Sequence, residues 1–331
     1  DITLYTGEDR TIIESAQLFD IFHRHVDLQN RLIESQVSAG DKPLPGTYGR
    51  NVVKELVEAG FSEEEAGNYF AFFFQLQRAY IFIRDKLVGN SRCMHLLRIH
   101  LWGTIFTFDT RRFGTKLWDR MEDFSTLFLG ETGTGKGAAA SGIGQAGFIP
   151  YDVKKETFTD SFLKNYIPIN LSQYPESLIE SELFGHKKGS FTGAVADHHG
   201  VFGQCRPHGI IFLDEIGDVS IQTQVKLLQI LQDRTFTPLG SYDKIRFPGR
   251  VIAATNKPID TLRREGTFRE DFYYRLCSDI VTLPTLRQRL EEDSKELDLL
   301  VNNQLTRIQG EENTALADEI TGLIRRQSGP G

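Results

Sequence analysis

The fold is decided by the stretch Thr126-Leu127-Phe128-Leu129-Gly130-Glu131-Thr132-Gly133-Thr134-Gly135-Lys136-Gly137. Its four leading residues predict a buried strand, and the glycines that follow fit the pattern G-x-x-x-x-G-K before an alanine-rich helix. Such glycines let backbone amides surround a phosphate group, to which the helix N-terminus adds partial positive charge. We therefore predict a nucleotide-binding loop whose lysine reaches the β- and γ-phosphates. Its members are Gly130, Glu131, Thr132, Gly133, Thr134, Gly135, Lys136 and Gly137.

Three further apolar runs, at residues 166–169, 210–213 and 250–254, are separated by segments with helical or glycine-rich patterns. Continuous apolar strands that alternate with helices predict a parallel sheet flanked by helices, which is an α/β fold. Ligands of such sheets bind at the carboxyl ends of the strands. Because each run ends in a polar motif, we expect the chemistry of this protein at that edge.

Paired acids, Asp214 and Glu215, follow the run at 210–213. We predict that Asp214 holds the shell of an Mg²⁺ ion and that Glu215 acts as general base on an attacking water. Such a pair can instead lie at a helix N-terminus, where it interacts favourably with the helix dipole. The phosphate loop upstream favours the catalytic interpretation. The residue after Lys136 is Gly137, which lacks the hydroxyl that binds Mg²⁺ in loops of this kind. Other groups and water then have to hold the metal.

Two asparagines end the remaining strands. The amide of Asn256, after the run at 250–254, is placed to bind a γ-phosphate or the attacking water. Asn170, after the run at 166–169, is placed to hold Glu215 away from water. A local turn-capping role for each asparagine is equally compatible with the sequence.

Residues 1–86 differ from the rest of the chain in their sequence pattern, which predicts an all-helical segment. The spacing predicts helices over residues 11–37 and 51–59, and a third helix that begins after the N-cap Ser62 and runs to about Lys86. The third helix carries many aromatic residues: Tyr69, Phe70, Phe72, Phe73, Phe74, Tyr80 and Phe82. Such residues form a hydrophobic core more often than a ligand cage or a partner surface. The role of the segment stays open between sensing, oligomerisation and packing.

A loop between the second and third predicted strands reads ESELFGHKKGSFTGA at residues 180–194. Glycines flank an apolar tip, Phe191-Thr192, and an exposed aromatic side chain on such a loop suits the gripping of a partner. The element resembles, almost residue for residue, the ESELFGH-x-x-GAFTGA element of the sigma-54 activators, also called bacterial enhancer-binding proteins. The resemblance gives partner-binding roles to Gly189, Ser190, Phe191, Thr192, Gly193 and Ala194. Ser190 replaces the alanine of the family, and we expect this small side chain to preserve function.

The resemblance extends over about residues 87–290 and implies an AAA+ P-loop ATPase. It implies ATP and Mg²⁺ as cofactors, and hydrolysis of ATP coupled to the remodelling of sigma-54 RNA polymerase for promoter opening. It also implies a homo-oligomeric ring, usually a hexamer, in which Arg269 and Arg275 act as arginine fingers across a subunit boundary. The competing interpretation is that these arginines pair at the surface with neighbouring acids, Glu270 and Asp271.

The resemblance divides the chain into a helical region of unknown role at residues 1–86, an ATPase core at residues 87–283 and a partial helical lid at residues 284–331. The W-P-G-N-x-R-E-L segment of the family, with its second sensor arginine, does not follow in the lid. The C-terminal helix-turn-helix that binds enhancer DNA is missing too, so we expect DNA contact only through a separate domain. The stretch Thr107 to Asp123 looks inserted relative to the family pattern.

Two other functions are compatible with the same motifs. A generic AAA+ remodelling ATPase would use the site on another protein substrate. A regulator that binds ATP but barely hydrolyses it would also fit, because Gly137 and the partial lid depart from the family pattern.

Composition and charge limit the partners and the cellular compartment that we expect for the protein. A formal net charge of -7 over 331 residues argues against wrapping nucleic acid on a broad surface. The three cysteines are far apart and odd in number, which fits a reducing compartment. The sequence has no apolar run long enough for a membrane span and no secretion signal. We therefore expect a cytoplasmic protein without membrane contact.

Overall fold

The computed structural model describes residues 2–45, 49–107, 117–118, 120–311 and 313–327. Its helices are α1 (Gly7–Arg24), α2 (Val26–Ala39), α3 (Gly49–Glu58), α4 (Glu63–Lys86), α5 (Arg92–Phe106), α6 (Lys136–Gly144), α7 (Glu176–Phe184), α8 (Val201–Gln204), α9 (Ile221–Asp233), α10 (Ile259–Arg264), α11 (Glu270–Leu276), α12 (Leu286–Glu292), α13 (Glu296–Gln309) and α14 (Thr314–Gln327). Its strands are β1 (Thr126–Leu129), β2 (Tyr151–Asp152), β3 (Thr157–Phe158), β4 (Tyr166–Asn170), β5 (Ile210–Asp214), β6 (Thr235–Phe236), β7 (Ile245–Arg246), β8 (Arg250–Thr255) and β9 (Asp279–Thr282). None of these described helices is both long and apolar enough to cross a membrane.

Most of the stretch from Thr107 to Asp123, which the sequence marks as inserted, lies outside the described residues. Only its two ends and residues 117–118 are described, and Met121–Asp123 form one 3-10 turn before β1.

Five strands form one parallel sheet in the order β4-β5-β8-β1-β9. Asn170 lies opposite Asp214 where β4 and β5 end, and Leu129 lies opposite Thr255 where β1 and β8 end. The carboxyl ends of the strands therefore share one edge, as parallel pairing requires. The predicted α/β fold with a parallel sheet is confirmed.

The sequence patterns do not predict β9 or the two small hairpins, β2–β3 and β6–β7. β9 is a four-residue strand at the sheet edge, and pairing with β1 defines it. Each hairpin strand has two residues, which is too short for an alternating apolar pattern.

Alternate residues of the strands face two separate hydrophobic clusters, as the pleat of a strand requires. In β5, Ile210 and Phe212 belong to a cluster with side chains of α1 to α6. Ile211 and Leu213 belong to a second cluster with side chains of α7 to α11. The sheet is therefore the middle of three layers, and the N-terminal helices form part of one outer layer.

The N-terminal region is helical as predicted, with one difference. The predicted helix over residues 11–37 is two helices, because the backbone leaves helical geometry at His25 with φ of -108° and ψ of 12°. α4 begins where the sequence places it, with a capping box at Ser62 and Glu65. The N–H of Glu65 donates to Oγ of Ser62 at 3.3 Å, and the N–H of Ser62 donates to the Glu65 carboxylate at 2.9 Å. These hydrogen bonds satisfy helix-start donors. The Ser62 hydroxyl also donates to the Glu65 carboxylate at 2.7 Å, and this bond, followed by the one from the Ser62 N–H, lowers the pKa of Glu65.

The aromatic side chains of α4 form core rather than a ligand cage. Most are at least nine-tenths buried: Phe70, Phe72, Phe73, Phe74 and Phe82. Phe158 and Phe162, from the segment between α6 and β4, pack against this face, with ring centroids 4.4 Å apart for Phe74 and Phe158. The core interpretation of the aromatic helix is confirmed, although Tyr80 is 53% exposed.

Arg78 attaches α4 to the far end of α6. Its guanidinium is fully buried and donates to the carbonyl oxygens of Gln145 and Gly147, each at 2.8 Å. It also lies 4.6 Å from the ring centroid of Phe74. Burial lowers the pKa of the guanidinium to about 9, so the group stays charged at neutral pH. The carbonyl end of a helix carries partial negative charge, which favours a cation there.

We expect Arg78→Met to destabilise the protein while keeping most of the side-chain volume. Two buried carbonyls would lose their donor, and each such loss costs on the order of 1–3 kcal/mol, offset in part by removal of a buried charge. Chemical denaturation of the variant and the wild type measures the difference. Arg84→Met, on the exposed side of the same helix, is the control and should change the free energy of unfolding by less than about 0.5 kcal/mol. Equal midpoints for the two variants would contradict the attachment of α4 through Arg78.

Candidate functional site

The predicted phosphate-binding loop connects β1 to α6. Gly133 and Gly135 adopt φ of +84° and +96°, which residues with a Cβ rarely do. α6 begins at Lys136, so its first N–H groups have no partner within the helix. Nζ of Lys136 donates to the carbonyl oxygens of Gly130 at 2.9 Å and Glu131 at 3.1 Å. The ammonium and the free N–H groups therefore lie together at the carboxyl end of β1, an arrangement that suits phosphate.

The paired acids follow β5 on the neighbouring part of the same edge. Burial raises the pKa of the half-buried Asp214, whose Oδ1 accepts a hydrogen bond from the N–H of Glu215 at 3.1 Å. Glu215 adopts φ of +57°, a left-handed conformation that costs a non-glycine residue about 1–2 kcal/mol. Its carboxylate accepts from the N–H of Asn256 at 3.4 Å. The strained turn thus directs the carboxylate of Glu215 toward the end of β8.

The two predicted asparagines differ in their contacts. Nδ2 of Asn256 donates to Oγ1 of Thr132 at 2.9 Å, which links the end of β8 to the phosphate loop. Oδ1 of Asn170 accepts from the N–H of Ser172 at 3.0 Å and from its hydroxyl at 2.7 Å. Asn170 therefore caps a local turn, which is the simpler of the two roles that the sequence allows. It is also the residue of β4 that lies opposite Asp214 in the pairing of β4 with β5.

The donor set at this edge fits Mg²⁺ in part. Carboxylate oxygen is a preferred ligand of this ion, which keeps several waters and binds through one or two carboxylates plus substrate phosphates. Asp214 offers such an oxygen beside Lys136. A Cβ added at Gly137 would meet no atom of the described residues within 4 Å, so none of their groups fills the place of the usual hydroxyl. Among the described residues no three histidine, cysteine or acidic side chains cluster as a metal site.

A cavity of about 630 Å³ opens beside the phosphate loop. Its walls are the loop and α6, residues 85–88 at the end of α4, and helix α13 through Leu300, Asn303, Gln304 and Arg307. Cavities of this size hold drug-sized or nucleotide-sized ligands. Sequence reasoning missed the walls contributed by α4 and α13, because no local pattern marks them and only the fold brings them to the loop.

A buried carboxylate holds the lid to the chain ahead of α5. Glu296 is fully buried and accepts from the N–H groups of Asn90 and Ser91, the latter at 2.6 Å. Nε of Arg289 donates to its second oxygen at 2.8 Å. Gly89 has φ of +140°, and a Cβ there would lie 2.5 Å from the Glu296 carboxylate. Only glycine fits this close approach, which fixes α12 and α13 beside the cavity.

The glycine-flanked loop at residues 189–194 closes on itself. The N–H of Gly189 donates to the carbonyl oxygen of Ala194 at 2.8 Å, and Gly189 and Gly193 have φ of +81° and +105°. Phe191 is 37% exposed and its ring lies 4.9 Å from that of His186. The hydroxyl of Ser190 is buried without a hydrogen-bond partner in the described part of the chain. The loop therefore presents one aromatic side chain at its tip.

The two predicted finger arginines make contacts within this chain. Arg269 donates two hydrogen bonds to the carboxylate of Asp271, at 3.0 and 2.7 Å, and its side chain is 39% exposed. This pair raises the pKa of the guanidinium. Nε of Arg275 donates to the carbonyl oxygen of Leu231 at 2.8 Å, which ties α11 to α9. Both guanidinium groups are thus engaged within their own chain, and both are partly exposed.

The model of one protein family, described as the sigma-54 interaction domain, matches residues 116–282. This match covers the phosphate loop, the paired acids, the loop at residues 189–194 and both finger arginines. It leaves out all of α1 to α5 and the helices α12 to α14.

Two proteins of known sequence are similar over more than half of this chain. The regulatory protein AtoC of Escherichia coli (strain K12) is 40% identical over 194 residues, which are 59% of this chain and 38% of AtoC. The DNA-binding transcriptional regulator NtrC of Azospirillum brasilense is 41% identical over 170 residues, 51% of this chain and 33% of NtrC. The chain thus spans little more than a third of these relatives.

A solved structure has the same fold. The crystal structure of NtrX from Brucella abortus in complex with ADP matches 78% of this chain and 53% of its own, with a TM-score of 0.51 and 22% identity. At this identity the likeness concerns the fold, which is that of an AAA+ ATPase.

Proposed function

The chain belongs to the sigma-54 interaction domain family, and we propose that it hydrolyses ATP to remodel sigma-54 RNA polymerase for promoter opening. The observation that carries the proposal is the presence, around one parallel sheet, of a phosphate loop with paired acids and of an aromatic-tipped loop in the segment between β4 and β5. The relatives AtoC and NtrC, named as a regulatory protein and a transcriptional regulator, support it. The fold shared with ADP-bound NtrX supports nucleotide binding.

The chemistry assigns a part to each group at the carboxyl edge. The loop amides and Lys136 bind the β- and γ-phosphates. Glu215 accepts a proton from a water that attacks the γ-phosphorus, and the bond to the β-phosphate oxygen breaks to release ADP and phosphate. Asn256, beside Glu215 and bonded to Thr132, orients the water or the γ-phosphate. Asp214 holds Mg²⁺, which neutralises phosphate charge when bound.

The working unit in this proposal is a homo-oligomeric ring, as is usual in the family. An arginine supplied by a neighbouring subunit stabilises the charge on the transferred phosphoryl group. Both candidates are engaged within their own chain, Arg269 by the carboxylate of Asp271 and Arg275 by the carbonyl of Leu231, so the arginine that acts in trans must release this contact. A lone protomer is then a slow ATPase.

The three-part organisation remains part of the proposal. Residues 87–283 form the ATPase core, residues 284–331 form a lid, and residues 1–86 form a region that packs on the core through α4. DNA contact belongs to a separate domain of a longer protein, as expected from the negative charge of this chain.

Steady-state hydrolysis at rising protein concentration tests the enzymatic part. Specific activity should rise as rings assemble, because each site then receives its arginine from a neighbour. A flat activity near background, in samples that sediment as rings, would favour the regulator that binds ATP without turnover.

Phe191→Ala tests the partner. We expect ATPase activity to stay within about twofold of wild type, since Phe191 lies outside the nucleotide site, while capture of sigma-54 on ADP with aluminium fluoride is lost. Capture is measured by co-elution of purified sigma-54 with the ring. Phe19→Ala removes another exposed phenylalanine, 66% accessible on α1, and serves as the control that retains capture. Retained capture by Phe191→Ala would exclude the activator function and leave a generic AAA+ remodelling ATPase.

A further inference from the structure

Besides Arg289, whose charge is paired with Glu296, two cations line the cavity beside the phosphate loop. Lys86 is the last residue of α4, and Arg307 lies in the last turn of the lid helix α13. Both line the cavity together with Gly133 and Gly135 of the loop. The N-terminal region and the lid therefore each bring one positive charge to the proposed nucleotide site.

These charges are not neutralised by nearby acids. Nζ of Lys86 donates to the hydroxyl of Ser141 on α6 at 2.5 Å. Neither Lys86 nor Arg307 forms an ion pair within the described ranges. Asp85 is the one carboxylate among the cavity walls, and it pairs with Arg84.

The positive charge of Arg307 affects the pKa of Lys86. Burial lowers the pKa of its ammonium, and the charge of Arg307 lowers it further. An anion between the two cations would relieve this repulsion and gain a charge-assisted hydrogen bond on each side. Phosphate oxygens of a nucleotide are the anions that the adjacent loop is built to bind.

Position along α6 indicates which part of the nucleotide is involved. Ser141 is five residues beyond Lys136, or about 7.5 Å along the helix axis. The group held at Lys86 is therefore displaced from the β- and γ-phosphates at the loop. The remaining phosphate of the chain, the α-phosphate, is therefore the one that the inference assigns to Lys86.

We propose that Lys86 and Arg307 bind the phosphate chain of the nucleotide from opposite walls, so that nucleotide binding draws the lid toward the N-terminal helix α4. The proposal rests on the nucleotide site described above and adds two binding residues outside its motifs. It makes residues 1–86 a direct contributor to nucleotide affinity. It also supplies cationic contacts from the lid, where the second sensor arginine of the family does not appear.

The test compares a charged ligand with its uncharged counterpart. For Lys86→Met and Arg307→Met we expect ADP affinity, measured by calorimetry, to fall about tenfold or more, as loss of a hydrogen bond to a charged group implies. Adenosine affinity, measured by competition, should stay within about twofold, because adenosine has no phosphate. Lys86→Arg should restore ADP binding, which separates loss of charge from loss of packing. ADP should also protect the amides of α13 from hydrogen exchange in wild type and not in Arg307→Met.

Matched controls remove charge from the neighbouring helices. Lys54→Met on α3 and Arg326→Met on α14 lie outside the cavity and should bind ADP as wild type does. Wild-type ADP affinity in Lys86→Met and Arg307→Met, or an equal loss of adenosine binding, would overturn the inference while leaving the proposed function intact. Failure of the wild-type ring to bind any adenine nucleotide would overturn both.

Discussion

Glu215→Gln should lower ATP turnover by about 10² to 10⁴-fold while ATP binding persists. The substitution keeps the shape of the side chain and removes the carboxylate that accepts the proton. The N–H of Asn256 can donate to the amide oxygen as it does to the carboxylate, so the turn is preserved. Steady-state phosphate release gives kcat, and calorimetry gives the ATP affinity.

Glu265→Gln is the control for this prediction. Glu265 is exposed at the end of α10, so its loss of charge leaves the site unchanged. Its kcat should equal that of wild type. Turnover of Glu215→Gln at more than a tenth of the wild-type rate would show that another group takes the proton.

Arg269→Ala should lower the kcat of assembled rings on the order of 10³-fold, because trans-acting arginines contribute that much to related phosphoryl transfers. Its effect should exceed that of Arg264→Ala, an exposed arginine on the neighbouring helix that bonds only within its own turn. Size-exclusion chromatography with ATP establishes that the variant rings assemble.

Mixed rings identify the arginine as acting between subunits. Glu215→Gln protomers keep Arg269, and Arg269→Ala protomers keep Glu215, so that some junctions in a mixed ring have both groups. Activity should reappear on mixing, and it should not reappear when the Arg269→Ala protomers also carry Glu215→Gln. Absence of recovery in well-formed mixed rings would indicate that Arg269 acts within its own chain, where it pairs with Asp271.

The sheet was predictable because its evidence is local. Each of four strands is an uninterrupted apolar run that ends in a polar motif, and the pattern of Ile210-Ile211-Phe212-Leu213 reflects burial on both faces of the sheet. The start of α4 was predictable for the same reason, since a capping box needs only Ser62 and Glu65. The phosphate loop and the paired acids were placed at one edge through the rule for parallel sheets.

The remaining features depend on contacts between distant segments. β9 is defined as a strand by its pairing with β1. The hydrogen bond between the Glu296 carboxylate and the N–H of Ser91 joins residues about two hundred positions apart in sequence. Lys86 and Arg307 sit on helices without a motif, and they meet through the packing of α4 on α6 and of the lid beside it. The turn-capping contacts of Asn170 likewise involve a choice of hydrogen-bond partner that sequence leaves open.

The attachment of α4 through Arg78 has a consequence for exchanging parts between proteins. A hybrid in which a foreign sensory unit replaces residues 1–86 would expose the aromatic surface around Phe158 and Phe162 to water and would withdraw Lys86 from the cavity. Chimaeric proteins that keep this nucleotide-binding core should therefore retain residues 63–86. The junction with the foreign unit should lie in the short connection before Glu63.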